Sequence, residues 1–385
     1  MATWTKSSRF IASLVLVGLY LVAGAVQASI PLPAPPSLSA NSYILLDFHS
    51  GRELVTHNAD ERVDPASLTK IMTAYVVFNE LKSGNITLDE RVTISERAWR
   101  APGSRMFVEV GTQVSVENLL KGLIIQSGND ASIALAEHIA GNEDTFAQVM
   151  NQYAARLGMD NTNYRNATGL PHEDHYTTAR DVAILAKAAI RDFPEYYAWY
   201  SERQFTWNGI SQRNRNQLLW RDDSVDGMKT GHTSAAGYCL ATSAMRDNMR
   251  LVSVVMGASS ERARADQSHA LLNYGFRFFE THRLYEANNA LTETRVWRGA
   301  ADGLPLGLNQ DLYVTIPRRQ YDNLRASMSV DSQIVAPVTA GSPLGHVVIR
   351  LGDEIVREEP LFALDSVDEG GFWRRMMDDV RLLFH

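Results

Sequence analysis

Cysteine is nearly absent: Cys239 is the only one in 385 residues. No intramolecular disulfide is available. Cys239 lies in the apolar, strand-like stretch AGYCLATSA and reads as a small core residue rather than a nucleophile. Zinc-finger spacing of Cys and His is missing, and so is His-Glu-x-x-His, so no metal and no other cofactor is expected. Excess positive charge is missing too. The formal net charge is -7, which argues against general nucleic-acid binding but leaves room for a local basic pocket that takes a small anion. There is no internal repeat and no long low-complexity segment.

A long apolar run does occur at the N-terminus. Lys6 and Arg9 precede an apolar stretch from about Phe10 to Ala25, and Val26-Gln27-Ala28 offers small residues where cleavage needs them. Residues 1–28 read as a secretory signal peptide, with an uncleaved anchor as the alternative, so the mature chain works outside the cytosol.

After the proline-rich IPLPAPPS, the segment NSYILLDFHSGRELVTHN reads as two strands around a Ser50-Gly51 turn. Helical spacing follows from Ser67, in SVENLLKGLIIQ with Ser115 as N-cap, in ASIALAEHIAG with Gly141 as its end, in DTFAQVMNQYAARLGM, and in TARDVAILAKAAIRDFP with Pro194 as its stop. GYCLATSAMRDNMRLVSVVMG reads as two strands joined at Arg246-Asp247-Asn248, before a helix in ERARADQSHALLNYGFRFFETH. From about Leu284 short alternating runs with Gly, Pro and Asn-Asp breaks replace the helical period. They suggest a small β-sandwich or barrel. The expected organisation is a mixed α/β (α+β) domain over 29–284, an all-β domain over 285–366 and a tail over 367–385.

Three short motifs carry chemistry. In VDPASLTKIMTAYVVFNE, Lys70 interrupts a run built for burial, three residues after Ser67. On a helix that spacing shares a face, so the amine can reach the hydroxyl. The bland alternative is a lysine that snorkels to the surface. IIQSGNDAS puts Ser127-Gly128-Asn129 at a break between two helices, and VDGMKTGHTSAAGYCLA starts an edge-type strand with Lys229-Thr230-Gly231. Each motif alone is commonplace. Ser-x-x-Lys, Ser-x-Asn and Lys-Thr-Gly in this order and context form the signature of penicillin-recognising serine acyltransferases.

PASLTKIMTAYV, SGNDA, QRNRNQLLW, VDGMKTGHTSAAGY, GFRFFET and the β-rich tail together resemble the D-alanyl-D-alanine carboxypeptidases, low-molecular-mass penicillin-binding proteins of Gram-negative bacteria, over almost the whole mature chain. The resemblance implies a penicillin-binding transpeptidase/β-lactamase-like catalytic fold, with helices packed on an antiparallel sheet. It also implies a peptidoglycan stem pentapeptide ending in D-Ala-D-Ala as substrate, and β-lactam antibiotics as covalent inhibitors. Ser67 is then the nucleophile and Lys70 its base. Ser127 passes the proton to the leaving nitrogen, and Asn129 bonds Lys70 or the substrate amide. Lys229 is the expected second cation that lowers the Lys70 pKa, and with Thr230 it takes the terminal carboxylate. Gly231 allows close approach of the substrate backbone, and the N–H groups of Ser67 and His232 form the oxyanion hole. Arg264 matches a carboxylate-holding position, with Arg262 as a competitor. His172, Glu173, Asp174 and His175 sit in a polar loop and read as a solvated face rather than a metal site. A class A β-lactamase reading meets Gly128, where those enzymes carry Asp. A wall-binding scaffold is the non-catalytic alternative.

The tail, GGFWRRMMDDVRLLFH, places Phe372, Trp373, Met376, Met377, Val380, Leu383 and Phe384 on one helical face, with Arg374, Arg375, Asp378, Asp379 and Arg381 opposite. It is too short and too charged to span a bilayer. It suits a helix lying in the membrane surface, which would make the protein peripheral to the periplasmic side of the inner membrane. Gly370 and Gly371 are expected to uncouple it from the β-domain.

Overall fold

The computed structural model describes residues 32–382. The expected signal peptide lies outside them, as do Leu383 and Phe384. An antiparallel five-stranded sheet runs in the order Glu53–His57, Ser42–Asp47, Met249–Ala258, Gly237–Arg246, Val225–Thr233. Its three inner strands are buried on both faces, because the two-residue period serves two cores. Ile44, Leu46, Val252 and Val254 join the core under the helices between residues 69 and 192. Tyr43, Leu45, Leu251 and Val255 join a second core under the helix Glu261–Phe278. Lys229, Thr230 and Gly231 are on the strand at the sheet edge, as expected, but in its second half rather than at its start, since the strand already begins at Val225.

Local chemistry accounts for the element ends. The side chains of Ser115, Asn142, Thr178 and Ser260 each accept the N–H three residues on, capping their helices. Gly141 closes its helix at φ 77°. The helix Ala179–Asp192 stops, and Pro194 opens the short helix that follows. Asp247 and Asn248 both take positive φ in the tight turn between the strands on either side. The helix Thr69–Lys82 is buried all round from Thr69 to Phe78, which marks it as the central helix of its layer.

The later strands form a six-stranded sheet beside a two-stranded one, around a core that includes Val296, Leu306, Val314, Val347 and Leu361. The change of texture expected near residue 284 falls inside the strand Phe279–Tyr285, which pairs with Leu312–Pro317 of this β-rich part. At the other end, the bridges Val338–Val367 and Gly299–Glu369 continue past residue 366.

The double glycine does not uncouple the tail. Gly370 donates to Arg298 O at 2.7 Å, and a Cβ on it would lie 2.8 Å from Gly299 O. Here the missing side chain permits close backbone approach instead of a hinge.

A buried carboxylate joins the strand Phe279–Tyr285 to the five-stranded sheet. Asp47 accepts from Ser50 N at 2.7 Å, Ser50 Oγ at 2.9 Å and Thr281 Oγ1 at 2.7 Å. Replacing Asp47 by Ala leaves buried donors without acceptors. It is expected to lower stability by about 1–3 kcal/mol, read as a lower urea midpoint against the parent protein.

Candidate active site

Ser67 lies in a three-residue 3-10 turn, Ala66–Leu68, directly ahead of the central helix, and Lys70 is that helix's second residue. Ser67 is the one partly exposed position between Pro65 and Lys70. Lys70 is 0% exposed, so the snorkelling alternative fails. Its Nζ reaches Ser67 Oγ at 3.1 Å, Asn129 Oδ1 at 2.6 Å and the Thr168 carbonyl at 2.6 Å.

These three partners determine what the amine does when it loses a proton. Asn129 Oδ1 and Thr168 O only accept, so they claim the two remaining N–H bonds. The lone pair is left toward Ser67 Oγ, whose hydroxyl can donate to it. The Asn129 amide is held in this sense because its Nδ2 donates to Pro102 O at 2.6 Å. Burial lowers the Lys70 pKa to about 7, with Arg215 the first charge acting in the same direction and Asp130 and Glu143 opposing. Lys229 had been expected as that cation; it is itself buried and driven well down by burial, by Lys70, and then by Arg215 and Arg264.

Sequence reasoning missed Arg215. It is exposed, between Asn214 and Asn216, which are both buried. Asn214 Nδ2 donates to Glu202 O at 3.1 Å and Asn216 Nδ2 to Gly227 O at 3.0 Å, so the backbone on either side is fixed. The pattern Asn-Arg-Asn was the only signal available.

Two loops supply the rest. Asp130, fully buried, accepts from the N–H groups of Met106, Phe107 and Val108 at 3.0, 2.8 and 3.3 Å. It thereby fastens the 102–108 loop against Asn129. Glu143 accepts from Ala167 N at 3.0 Å and pairs with Arg97 at 2.6 Å, and Asn166 Oδ1 accepts from the N–H groups of Thr168 and Gly169. Together they set the Thr168 carbonyl. Gly169 has φ 81°, and a Cβ there would lie 1.8 Å from Ala66 O, so only glycine fits behind the turn that carries Ser67.

The other expected residues converge unequally. Ser127, at φ 62°, is buried, but its hydroxyl has no protein partner, and the bond to Lys70 is not formed. Gly231 is needed for a closer neighbour than a substrate: a Cβ on it would meet Ser67 N and Pro65 O at 3.3 Å. Arg264 is buried and donates to Gly231 O at 3.1 Å, whereas its competitor Arg262 is exposed and pairs with Asp266. His232 is exposed and stacks on Tyr238 at 4.1 Å. Thr230 is buried on the edge strand.

His175 departs from the solvated reading. It is buried, its Nε2 lies 2.9 Å from Thr69 Oγ1, and its Nδ1 accepts from Arg165 N at 3.3 Å. Burial lowers its pKa to about 4, helped by His172 and Lys70, so it is neutral at pH 7. Its neighbours His172, Glu173 and Asp174 are exposed as expected. Cys239 is a core residue, its thiol pushed up to about 11 by burial.

A partly exposed serine hydroxyl 3.1 Å from a buried amine whose pKa is lowered to about 7 is an arrangement that can support acyl transfer to serine. Residues 29–260 match the family model described as D-alanyl-D-alanine carboxypeptidase, peptidase S11, and residues 279–369 match that of the penicillin-binding protein 5 C-terminal domain. D-alanyl-D-alanine carboxypeptidase DacC of Escherichia coli (strain K12) is 45% identical, over 95% of this chain and 94% of its own. DacA of Haemophilus influenzae is 44% identical over 89% of each. The crystal structure of penicillin binding protein 5 from Haemophilus influenzae superposes with a TM-score of 0.85 at 44% identity, covering 88% of this chain and all of that one. The chain belongs to the S11 family of D-alanyl-D-alanine carboxypeptidases, which are serine hydrolases.

The Lys70 environment sets a pH dependence. Below about pH 7 Lys70 is protonated and cannot take the Ser67 proton. Acylation by penicillin is therefore expected to fall about tenfold per pH unit on the acid side. In Arg215→Gln a cation that disfavours the ammonium is gone, so this acid limb moves to higher pH. A stopped-flow rate profile of both proteins checks the direction.

Proposed function

We propose that the chain removes the terminal D-alanine from peptidoglycan stem pentapeptides ending in D-Ala-D-Ala. Ser67 Oγ attacks the carbonyl carbon of the penultimate residue while Lys70 Nζ takes its proton. The oxyanion of the tetrahedral intermediate is met by the N–H groups of Ser67 and His232. As the C–N bond breaks, Ser127 relays a proton to the departing amine, D-alanine leaves, and water then hydrolyses the ester on Ser67. Lys229, Thr230 and Arg264 receive the terminal carboxylate. Asn129 keeps the Lys70 lone pair on the nucleophile.

The observation that carries this reading is the pair of accept-only partners on Lys70, which leaves its lone pair to Ser67. The Ser127 hydroxyl is buried and has no protein partner, so it is free to bond a leaving amine, which supports the relay. Penicillins enter by the same attack, with opening of the β-lactam ring in place of amine loss. The β-lactamase alternative has a specific observation against it. A Cβ at residue 128 would lie 2.7 Å from Asp130 Oδ1 and 3.2 Å from Met106 N, so an aspartate there disturbs the loop fastening. An intact nucleophile–base pair argues equally against a scaffold as the only role.

The working location of this reading is the periplasm, reached through the signal peptide of residues 1–28. The attachment is peripheral, by the tail helix on the inner membrane. No described helix is long and apolar enough to cross a membrane. On the helix Phe372–Leu382 the side chains of Phe372, Trp373, Met376, Met377 and Val380 are 43–72% exposed. Each is worth roughly 1.5–3 kcal/mol when fully buried, which suits a lipid surface.

Two outcomes follow. Intact-mass and peptide mapping with penicillin are expected to find one adduct, on Ser67, absent from Ser67→Ala; an adduct on another serine overturns the assignment. Deleting residues 370–385 is expected to move the protein from the membrane to the soluble fraction with acylation unchanged. If full-length and truncated proteins fractionate alike, the anchor is elsewhere.

A further inference from the structure

The tail helix Phe372–Leu382 has two faces with different fates. Its polar face is occupied by the β-domain. Asp378 is 4% exposed and accepts from Arg295 Nη2 at 2.9 Å and from Arg298 N at 2.8 Å. Arg298 also pairs with Asp379, and Arg374 with Asp302 at 2.5 Å. The Arg295 guanidinium stands 3.8 Å from the centre of the Trp297 ring, so it is held on two sides. The same turn grips the approach to the helix: Gly370 donates to Arg298 O, and Ala300 N donates to Asp368 O, both at 2.7 Å. The apolar face, meanwhile, is turned to solvent.

An eleven-residue helix is marginal in water on its own. A buried carboxylate is costly unless its lone pairs are met, and here both oxygens are met by groups of the β-domain. The hydrogen bonds that order this helix therefore come from the side that would not enter a lipid surface.

We infer that Asp378 is a latch. It fixes the tail helix to the β-domain with the apolar face outward, so that the protein meets a lipid surface with its helix already formed and stands on it in one orientation. This rests on the membrane attachment proposed above and adds how that attachment is built. Latching and insertion use opposite faces, so they do not compete. Preforming the helix removes an ordering cost that a free tail would bear at the surface. The catalytic site is then held in a defined direction relative to the membrane through the β-domain, since Asp47 ties that domain to the catalytic sheet.

The test uses the full mature chain, Asp378→Asn and Arg295→Gln, which break the latch from opposite sides, and the 370–385 deletion. Hydrogen exchange of residues 372–382 is measured in solution. Binding is measured by co-sedimentation with phosphatidylethanolamine–phosphatidylglycerol vesicles. Orientation is read from energy transfer between a fluorescent penicillin on Ser67 and an acceptor lipid. Both substitutions are expected to speed exchange roughly tenfold or more, to weaken vesicle binding several-fold, and to broaden a narrow transfer distribution, with the acylation rate unchanged. Exchange as slow as in the parent, or an equally narrow distribution, in both variants overturns the latch. If the parent and the deletion sediment alike, the membrane attachment fails, while the exchange result still decides whether the latch exists. A parent that self-associates through this face and leaves the vesicles overturns a lipid surface as its occupant.

Discussion

Lys70 Nζ lies 3.1 Å from Ser67 Oγ with no exposed surface, and the surrounding structure answers to that one contact. An ammonium in such a place is disfavoured, so the amine gives up its proton near neutrality instead of at the usual lysine value. Arg215 pushes further in that direction, while Asp130 and Glu143 pull back. The two carboxylates also have structural work. Each fastens a loop that delivers one acceptor to Lys70: Asn129 through the 102–108 loop, and Thr168 through the turn at 166–169. Charge balance and geometry are thus set by the same side chains.

Buried carboxylates recur wherever parts of this molecule must be joined. Asp47 ties the catalytic sheet to Thr281 of the β-domain, and Asp378 ties the tail helix to Arg295 and Arg298. Asp47 collects donors from nearby Ser50 and from distant Thr281, and Asp378 from residues 295 and 298. Such a group is more demanding than an apolar contact, because every donor must arrive at hydrogen-bond distance, and it defines one arrangement for that reason.

Much of this was legible in the sequence because it depends on neighbours. Caps at Ser115 and Gly141, the turn at Asp247-Asn248, the stop before Pro194 and the alternating runs after residue 284 are local chemistry, and the strands and helices follow them. The three motifs were legible as well, because each is contiguous. What could not be read was which distant groups meet them. Arg215 carries no motif, and its field on Lys70 exists only once the chain is folded. His175 sits in a polar loop yet ends buried against Thr69.

The tail divides the two kinds of information most plainly. Its amphipathic period was there to read, since a helix repeats every 3.6 residues whatever surrounds it. The role of its glycines was not: the sequence suggests a hinge, whereas in the fold Gly370 is small so that its backbone can close on Arg298 and Gly299. The sequence by itself determined the elements, the Ser67–Lys70 pairing at the head of a helix and the edge strand, because spacing and turn chemistry act within a few residues. Only the tertiary structure decided that Lys70 is sealed from water, that Ser127 is left without a partner and that the tail's polar face is spent on the β-domain. Burial, pKa and hydrogen-bond satisfaction are properties of what surrounds a side chain, and segments far apart in the chain supply those surroundings.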